Sequence, residues 1–322
     1  MKKIIVVISL FALTLTASAG TNGGMAGAFA RIGAGARAKG LGGAYTGVGV
    51  GPAAIYFNPG ALPFGSGPEF SANVSKMALD RSLHYLAFAT PVHPKAGPGK
   101  RAVNAGVGVA WLHAGVSNID ARDFDGNPME MIDQSSNLFI FGFGVQFHER
   151  VGAGIAVKKN YETFGRIGNE NRSINGGGFG GDAGIFVRPI DRLTVGAQVK
   201  DIGVKTTWNT TDYWSQGTSK TDKWPAQYRV GAAYTQYGLL GALDVESSAE
   251  GETRLHAGVE GTRQFTEKQS IAGRLGYDAG AVDFGLGIGF AFWKVQAMLD
   301  FVYTLENIAP DDATTLGWSV KF

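Results

Sequence analysis

Thr314-Thr315-Leu316-Gly317-Trp318-Ser319-Val320-Lys321-Phe322 closes the chain, and it alternates without a break. Leu316, Trp318, Val320 and Phe322 share one face, while Thr315, Gly317, Ser319 and Lys321 share the other. A period of two with one greasy face is a half-buried β-strand. The same rhythm runs through Val295, Ala297, Leu299, Phe301, Tyr303 and Leu305, through Phe284, Leu286, Ile288, Phe290 and Phe292 with glycines between, and through Leu193, Val195, Ala197 and Val199. About fourteen such segments of roughly ten residues begin near Glu69, Leu83, Arg101, Ser135, Val151, Gly177, Arg192, Ala226, Leu239, Thr253, Gln269, Asp283, Lys294 and Thr314.

One alternating strand fits a soluble sandwich as well as a membrane barrel. The connections separate the two. Every second one is of hairpin length: 148–150, 189–191, 237–238, 265–268 and around Trp293. The longest, 115–134, 164–176 and 204–225, all fall in the opposite set. A bacterial outer-membrane barrel has this parity, with short periplasmic turns and longer outer loops, and a sandwich has no reason to keep it. The Pro/Gly-rich connection 91–100 is the one long member of the short set. The expectation is therefore an all-β, antiparallel transmembrane barrel of about 14 strands over residues 69–322. Trp111, Phe147, Tyr161, Tyr234, Phe265, Trp293 and Trp318 near strand ends suit its interfacial girdles.

Composition agrees. Glycine is 49 of 322 residues and charged residues are 17%, departures in opposite directions from a soluble enzyme, while 44% apolar residues exclude a disordered chain. The absence of cysteine removes disulfides, thiolate metal sites and cysteine nucleophiles. Residues 1–19 read as a cleaved signal peptide, with Lys2 and Lys3, an apolar run and Ala17-Ser18-Ala19 before Gly20. Without those two lysines, 27 positive residues balance 27 negative ones, so no footprint for nucleic acid remains.

Residues 20–68 do not keep the strand rhythm. They are rich in glycine and alanine, punctuated by Pro52, Pro59 and Pro63, and too apolar for a solvated tail. They read as a plug, or hatch, tucked into the barrel, with short helical turns at 36–41 and 53–57. Asn58-Pro59 reads as a structural turn that anchors it. The stretch from Arg31 through Arg37, Gly40, Gly42, Gly43 and Tyr45, followed by Ala53 to Asn58 and Pro59, resembles the N-terminal signature of PorV/PorQ-type outer-membrane proteins, relatives of the FadL-type long-chain fatty acid transporters. Where that family usually reads Asn-Pro-Ala-Gly-Leu, this chain reads Asn58-Pro59-Gly60-Ala61-Leu62, and it has no acidic residue across 48–52.

Signals for chemistry are weak. Gly33-Ala34-Gly35-Ala36-Arg37-Ala38 matches a dinucleotide fingerprint, but no strand precedes it and no βαβ unit follows. His84, His93, His113, His148 and His256 lack metal-ligand spacing, and neither His84 with Asp80 nor His256 with Glu260 stands out as an acid–base pair. No enzyme activity, cofactor or metal is expected. Alternation places Lys158, Asp182, Arg188, Gln198, Lys200, His256, Glu260, Arg274 and Asp300 inside the bore, where mixed signs suit holding a plug. Trp208, Tyr213, Trp214 and Trp224 in the longest outer loop form a candidate contact for a partner protein or greasy ligand, or equally fold back onto the barrel rim.

The resemblance implies two functions. One is a docking or shuttle component of type IX secretion-like export, with secreted cargo proteins as partners. The other is FadL-like uptake of a hydrophobic small molecule. The mostly short outer loops favour the first. Under either, the resemblance implies an outer-membrane location, contact with outer-membrane lipid, and assembly machinery that reads the terminal Phe322.

Overall fold

The computed structural model describes residues 24–94, 103–167, 172–211, 216–250, 253–307 and 309–322. The signal-peptide reading and the tip of the connection 91–100 lie outside them. Sixteen strands follow four short helical turns: β1 (Glu69–Met77), β2 (Arg81–Val92), β3 (Asn104–Ile119), β4 (Ile132–His148), β5 (Val151–Ile167), β6 (Arg172–Ile190), β7 (Leu193–Ile202), β8 (Lys205–Asn209), β9 (Ser219–Lys223), β10 (Gln227–Gln236), β11 (Leu239–Ser248), β12 (Thr253–Thr266), β13 (Gln269–Asp278), β14 (Ala281–Phe292), β15 (Val295–Leu305) and β16 (Ala313–Lys321).

Fourteen of these close into a ring of antiparallel neighbours. β10 takes up the partner edge of β7, and β16 returns to β1 from Glu69 opposite Lys321 to Lys76 opposite Thr314. The remaining two, β8 and β9, form a hairpin that extends β6 at Asn175–Gly177 beyond the point where β7 turns away. The sequence reading treated 204–225 as loop. Its Thr, Lys and Asp content hid a hairpin whose apolar contribution is small.

Alternation sorts the two faces as a membrane requires. On β4, Leu138 and Ile140 are buried, whereas Phe139 and Phe141 are 50% and 53% exposed to the outside. On β14, Phe284, Leu286, Ile288 and Phe290 all face out. Closure satisfies the backbone with neighbouring strands, which lets such a surface sit in hydrocarbon. No helix among the described residues is long and apolar enough to cross a membrane. The aromatics read as girdles lie on the outward face, with Trp293 and Phe265 the most exposed.

The two ends of the ring differ. At the end carrying Glu69 and Phe322, called here the terminal end, two-residue turns such as Tyr237-Gly238 join the strands, both with positive φ as a tight hairpin needs. The opposite, loop end carries the β8–β9 hairpin and the connection 120–131.

Candidate functional site

The inward surface of the ring is covered by residues 24–68, and the contact is built residue by residue. Short helices at Ala36–Gly40 and Ala54–Phe57 and 3₁₀ turns at Ala28–Arg31 and Pro59–Phe64 interrupt this segment. None exceeds six residues, so none is stable alone. Ala38, Leu41, Ala44, Ile55 and Phe57 are each 1% exposed or less, which only burial by surrounding strands provides.

Strands on every side supply its partners. From β1, Asn73 Oδ1 accepts the Ala36 amide at 2.7 Å, and from β2 the Tyr85 hydroxyl donates to Pro52 O at 3.0 Å. On β7, the Thr194 hydroxyl donates to Gly47 O at 2.6 Å and Gln198 Nε2 to Tyr56 O at 3.1 Å. From β10, Arg229 Nη2 donates to Gly43 O at 2.6 Å. Asp244 of β11 accepts the amides of Tyr45 and Thr46 at 3.0 and 2.9 Å while pairing with Arg229 Nε at 3.0 Å. Over β3 to β5 the contact is steric: Ile55 and Leu62 lie over Gly108 and Gly142, and Pro59 over Gly154. Gly276 and Gly42 meet backbone to backbone where β13 passes the turn after the first helix, and Gly42 has φ +63°, so both positions exclude a side chain.

A charged latch joins segment and wall. Arg37 grips Glu260 of β12 through Nε and Nη2 at 2.9 and 2.6 Å; Arg274 of β13 also reaches Glu260, at 2.6 Å, and Asp300 of β15 at 2.5 Å. Two nitrogens on one carboxylate fix angle as well as distance. Lys39 lies 3.7 Å from Asp278, and His256 is paired with that same Asp278 at 2.9 Å and touches Gly42 O at 3.2 Å. His256 and Glu260 share the inward face without pairing: β12 and β13 register His256 against Asp278, while Glu260 is taken by two arginines. His84, by contrast, faces outward, its ring 5.6 Å from that of His113.

Asn58 is fully buried. Its Nδ2 donates to Thr46 O and Ile185 O at 3.2 and 3.0 Å, and its Oδ1 accepts from Gly60 N at 3.1 Å, so one side chain joins two parts of the segment and the β6 backbone. Pro59 follows at the first position of the 3₁₀ turn, where its missing N–H is not needed. Burial pushes the Tyr56 phenol above its usual range, which keeps it protonated to donate to Ala30 O at 2.6 Å. The Tyr45 hydroxyl donates to Val50 O at 3.1 Å. Gly40 packs against Arg274 and Val302, and Gly43 against the His256 ring.

The other inward residues have different partners. Lys158 forms a buried wall-to-wall triad, its ammonium 2.7 Å from both Asp182 and Asp201. Lys200 sits 3.6 Å over the Tyr56 ring, and Arg188 stacks 4.5 Å over Phe64 near the terminal end. Phe322 is exposed, and its amide donates to Pro68 O at 3.0 Å.

The reading of Trp224 as an outer contact is overturned. It is only 4% exposed, edge-on to Phe29 at 5.6 Å, with its Nε1 donating to Thr206 at 3.0 Å, and Arg31 Nη2 donates to the neighbouring Pro225 O at 3.0 Å. Residues 27–31 supply the apolar surface that the loop sequence alone did not show. Trp208 is half-buried against Phe164 and donates to Asp222 at 3.1 Å. Tyr213 and Trp214 lie outside the described residues. Sequence reasoning did not single out Asn73, Tyr85, Thr194, Arg229, Asp244 or Asp278, although each reaches the segment or its partners from the inward face.

Among the described residues, spaces lie beside the segment at both ends. A recess of about 510 Å³ near the terminal end is lined by polar groups such as Arg37, Glu69, Asn73 and Lys321 and by apolar ones such as Leu62, Phe64 and Trp318. A crevice of about 20 Å³ near the loop end is lined by Ile32, Lys39, Met77, Leu83, Tyr85 and Glu306. No group of metal-ligating side chains occurs among the described residues.

No protein-family pattern and no curated protein matches the chain. Solved structures do. The Pseudomonas putida toluene transporter TodX superposes with a TM-score of 0.59 at 13% identity, over 89% of this chain and 97% of that one. A Pseudomonas aeruginosa FadL homologue gives 0.51 at 12%, over 90% and 98%. This chain has their fold. At that identity the likeness concerns the closed 14-strand barrel and carries no residue-level role.

Proposed function

We propose that the protein is an outer-membrane channel for hydrophobic compounds, closed by its own N-terminal segment acting as a plug. The observation that carries this is the ring of hydrogen bonds from β1, β2, β7, β10 and β11 to one segment, in a barrel with the fold of a toluene transporter and a FadL homologue. The alternative drawn from the same family resemblance, a PorV-like docking platform for exported proteins, draws support from how completely the bore is filled. The structural neighbours are transporters, which supports uptake over docking and over enzymatic catalysis.

Passage requires the plug to move. A crevice of about 20 Å³ holds about one water, whereas a benzene ring needs a cavity on the order of 150 Å³. Shifting residues 32–39 away from Met77, Leu83 and Tyr85 joins that crevice to the recess beyond Arg37 and Glu260. Because the chain contains no cysteine, Arg37→Cys with Glu260→Cys makes a clean pair for a short, cleavable bifunctional thiol reagent. Uptake of labelled toluene or a labelled long-chain fatty acid by cells making this variant is expected to fall on cross-linking and return on cleavage. Uptake unchanged by the cross-link refutes a moving plug. Absent uptake of both compounds, with secreted proteins stranded in the periplasm of a deletion strain, selects the docking reading.

A further inference from the structure

Lys159 points outward from the middle of β5, between Val157 and Tyr161, into a face otherwise apolar. Its ammonium lies 4.1 Å from the centroid of the Phe179 ring and close to Gly177, where no side chain blocks it. Its register partners are Phe139 and Phe179, neither able to neutralise it. Two more lysines stand nearby on the same side of the sheet. Lys205 of β8 and Lys223 of β9 are exposed and directly opposed. They share a face with Thr207 and Thr221, whose hydroxyls meet at 2.9 Å, while Thr206 between them points inward to Asn160. No ion pair reaches any of the three among the described residues. Like charges placed directly opposite destabilise a sheet, so this cluster calls for an anion.

Height fixes what kind of anion it meets. Lys159 lies eight residues beyond Val151 at the terminal-end turn, roughly 20 Å along the barrel axis at about 3.3 Å per residue and about 40° of tilt. Its side chain reaches further up, to the edge of an apolar band roughly 25 Å tall. Lipid head groups lie at that edge. Below it, the outward pairs Val157 with Gly181, Ile155 with Ala183 and Ala153 with Ile185 each join a large side chain to a small one. They continue into an apolar groove of about 690 Å³ on the outer surface, flanked by Phe143, Val199 and Tyr228.

We propose that this face binds an anionic phospholipid, with its phosphate on Lys159, Lys205 and Lys223 and one acyl chain in the groove along β5 and β6. The site is independent of what crosses the bore. Both halves of the lipid are matched: three ammonium groups without an ion pair at head-group height, and a groove that opens at Ile155, four residues or about 13 Å of strand below Lys159.

The test is native mass spectrometry of the detergent-solubilised protein with added phosphatidylglycerol or phosphatidylcholine. A single lysine near an anionic surface strengthens attraction by about fivefold, so three, partly screened, are expected to favour phosphatidylglycerol by at least about tenfold. Replacing all three (Lys159→Gln, Lys205→Gln, Lys223→Gln) removes that preference, and Ala183→Phe, which fills the groove, lowers retention of both lipids. All four positions face outward, and heat-modifiable migration verifies that each variant is folded. Equal retention of the two lipids by the wild type, or a preference that survives the triple substitution, overturns the proposal. So does a groove that Ala183→Phe leaves without effect on lipid retention but that competes with toluene, which identifies it as a path for permeant.

Discussion

Replacing Arg37 by glutamine tests the latch. The substitution removes both nitrogens from Glu260, at 2.9 and 2.6 Å, yet leaves the wall intact, because Glu260 keeps Arg274 at 2.6 Å. The Arg37 side chain is 34% exposed, so solvent screens part of the attraction, and the loss is about 1–2 kcal/mol rather than a buried-pair value. A loss of about 1.4 kcal/mol raises local opening about tenfold. Glu260→Gln should act differently. It weakens Arg37 and also leaves Arg274, 1% exposed, with Asp300 as its remaining carboxylate, a perturbation near the lower end of the roughly 3–5 kcal/mol for breaking a buried pair. Amide hydrogen exchange separates the two variants. Arg37→Gln should speed exchange about tenfold at Lys39, Leu41 and Gly43, whose amides bond within the segment, and leave β12 and β13 unchanged. Glu260→Gln should affect segment and strands together and lower the heat-modification temperature. Exchange at residues 39–43 within twofold of wild type in Arg37→Gln refutes the latch, and so does a change of equal size in the strands.

Asn58→Ala leaves the Gly60 amide and the Thr46 carbonyl without a partner in a dry site and should lower segment stability by about 1–3 kcal/mol, read as faster exchange at Gly60; protection equal to wild type contradicts the anchoring role. Trp224→Ala removes the edge contact with Phe29 and the bond to Thr206, costing about 3–5 kcal/mol locally, so protease should reach residues 24–31 from the loop end; resistance equal to wild type counts against this packing. Asp123 accepts the side-chain and main-chain N–H groups of Asn127 and those of Asp125 and Gly126, which hold its carboxyl below the ordinary 3.8. Its folded value is depressed, so its contribution to the turn is complete above 3.8 and is lost as pH falls through the lower folded value. Exchange at Asn127 should therefore rise in that acid range, and Asp123→Asn should abolish the dependence; the same acid dependence in Asp123→Asn assigns it elsewhere.

The ring was legible because a strand in a membrane wall writes its two environments into alternate residues. β5, β11, β12 and β13 begin where the alternation begins, at Val151, Leu239, Thr253 and Gln269. β6 begins five residues before Gly177, because Gly176, Gly177, Gly178, Gly180 and Gly181 carry no side chain to alternate. Parity also placed His256, Glu260 and Arg274 on the inward face. Partners were beyond its reach, since whether His256 meets Glu260 or Asp278 depends on the register between two strands. Trp224 failed for a related reason: the surface that buries it comes from Gly27 and Phe29, nearly two hundred positions earlier in the chain.

Most of the inward charges fall into two sets, with Lys200 over the Tyr56 ring and Arg188 over Phe64 outside both, and the division bears on whether the segment can leave. Lys158, Asp182 and Asp201 neutralise one another across β5, β6 and β7 and stay paired whatever the segment does. The groups that do grip the segment also have opposite charges on the wall: Asp244 and Glu246 face Arg229, Glu260 and Asp300 face Arg274, and His256 faces Asp278. Withdrawing residues 36–46 therefore strips hydrogen bonds and two partly screened ion pairs, Arg37 with Glu260 and Lys39 with Asp278, but leaves Glu260 with Arg274 and Asp278 with His256. A lone buried charge costs several kcal/mol, whereas a hydrogen bond exchanged for water costs about 1 kcal/mol net. A permanently fixed segment has no need of a self-neutral wall behind it. A segment that moves aside and lets water or permeant into its place does, and on that ground the charge arrangement around residues 36–46 supports the proposed channel over a sealed platform.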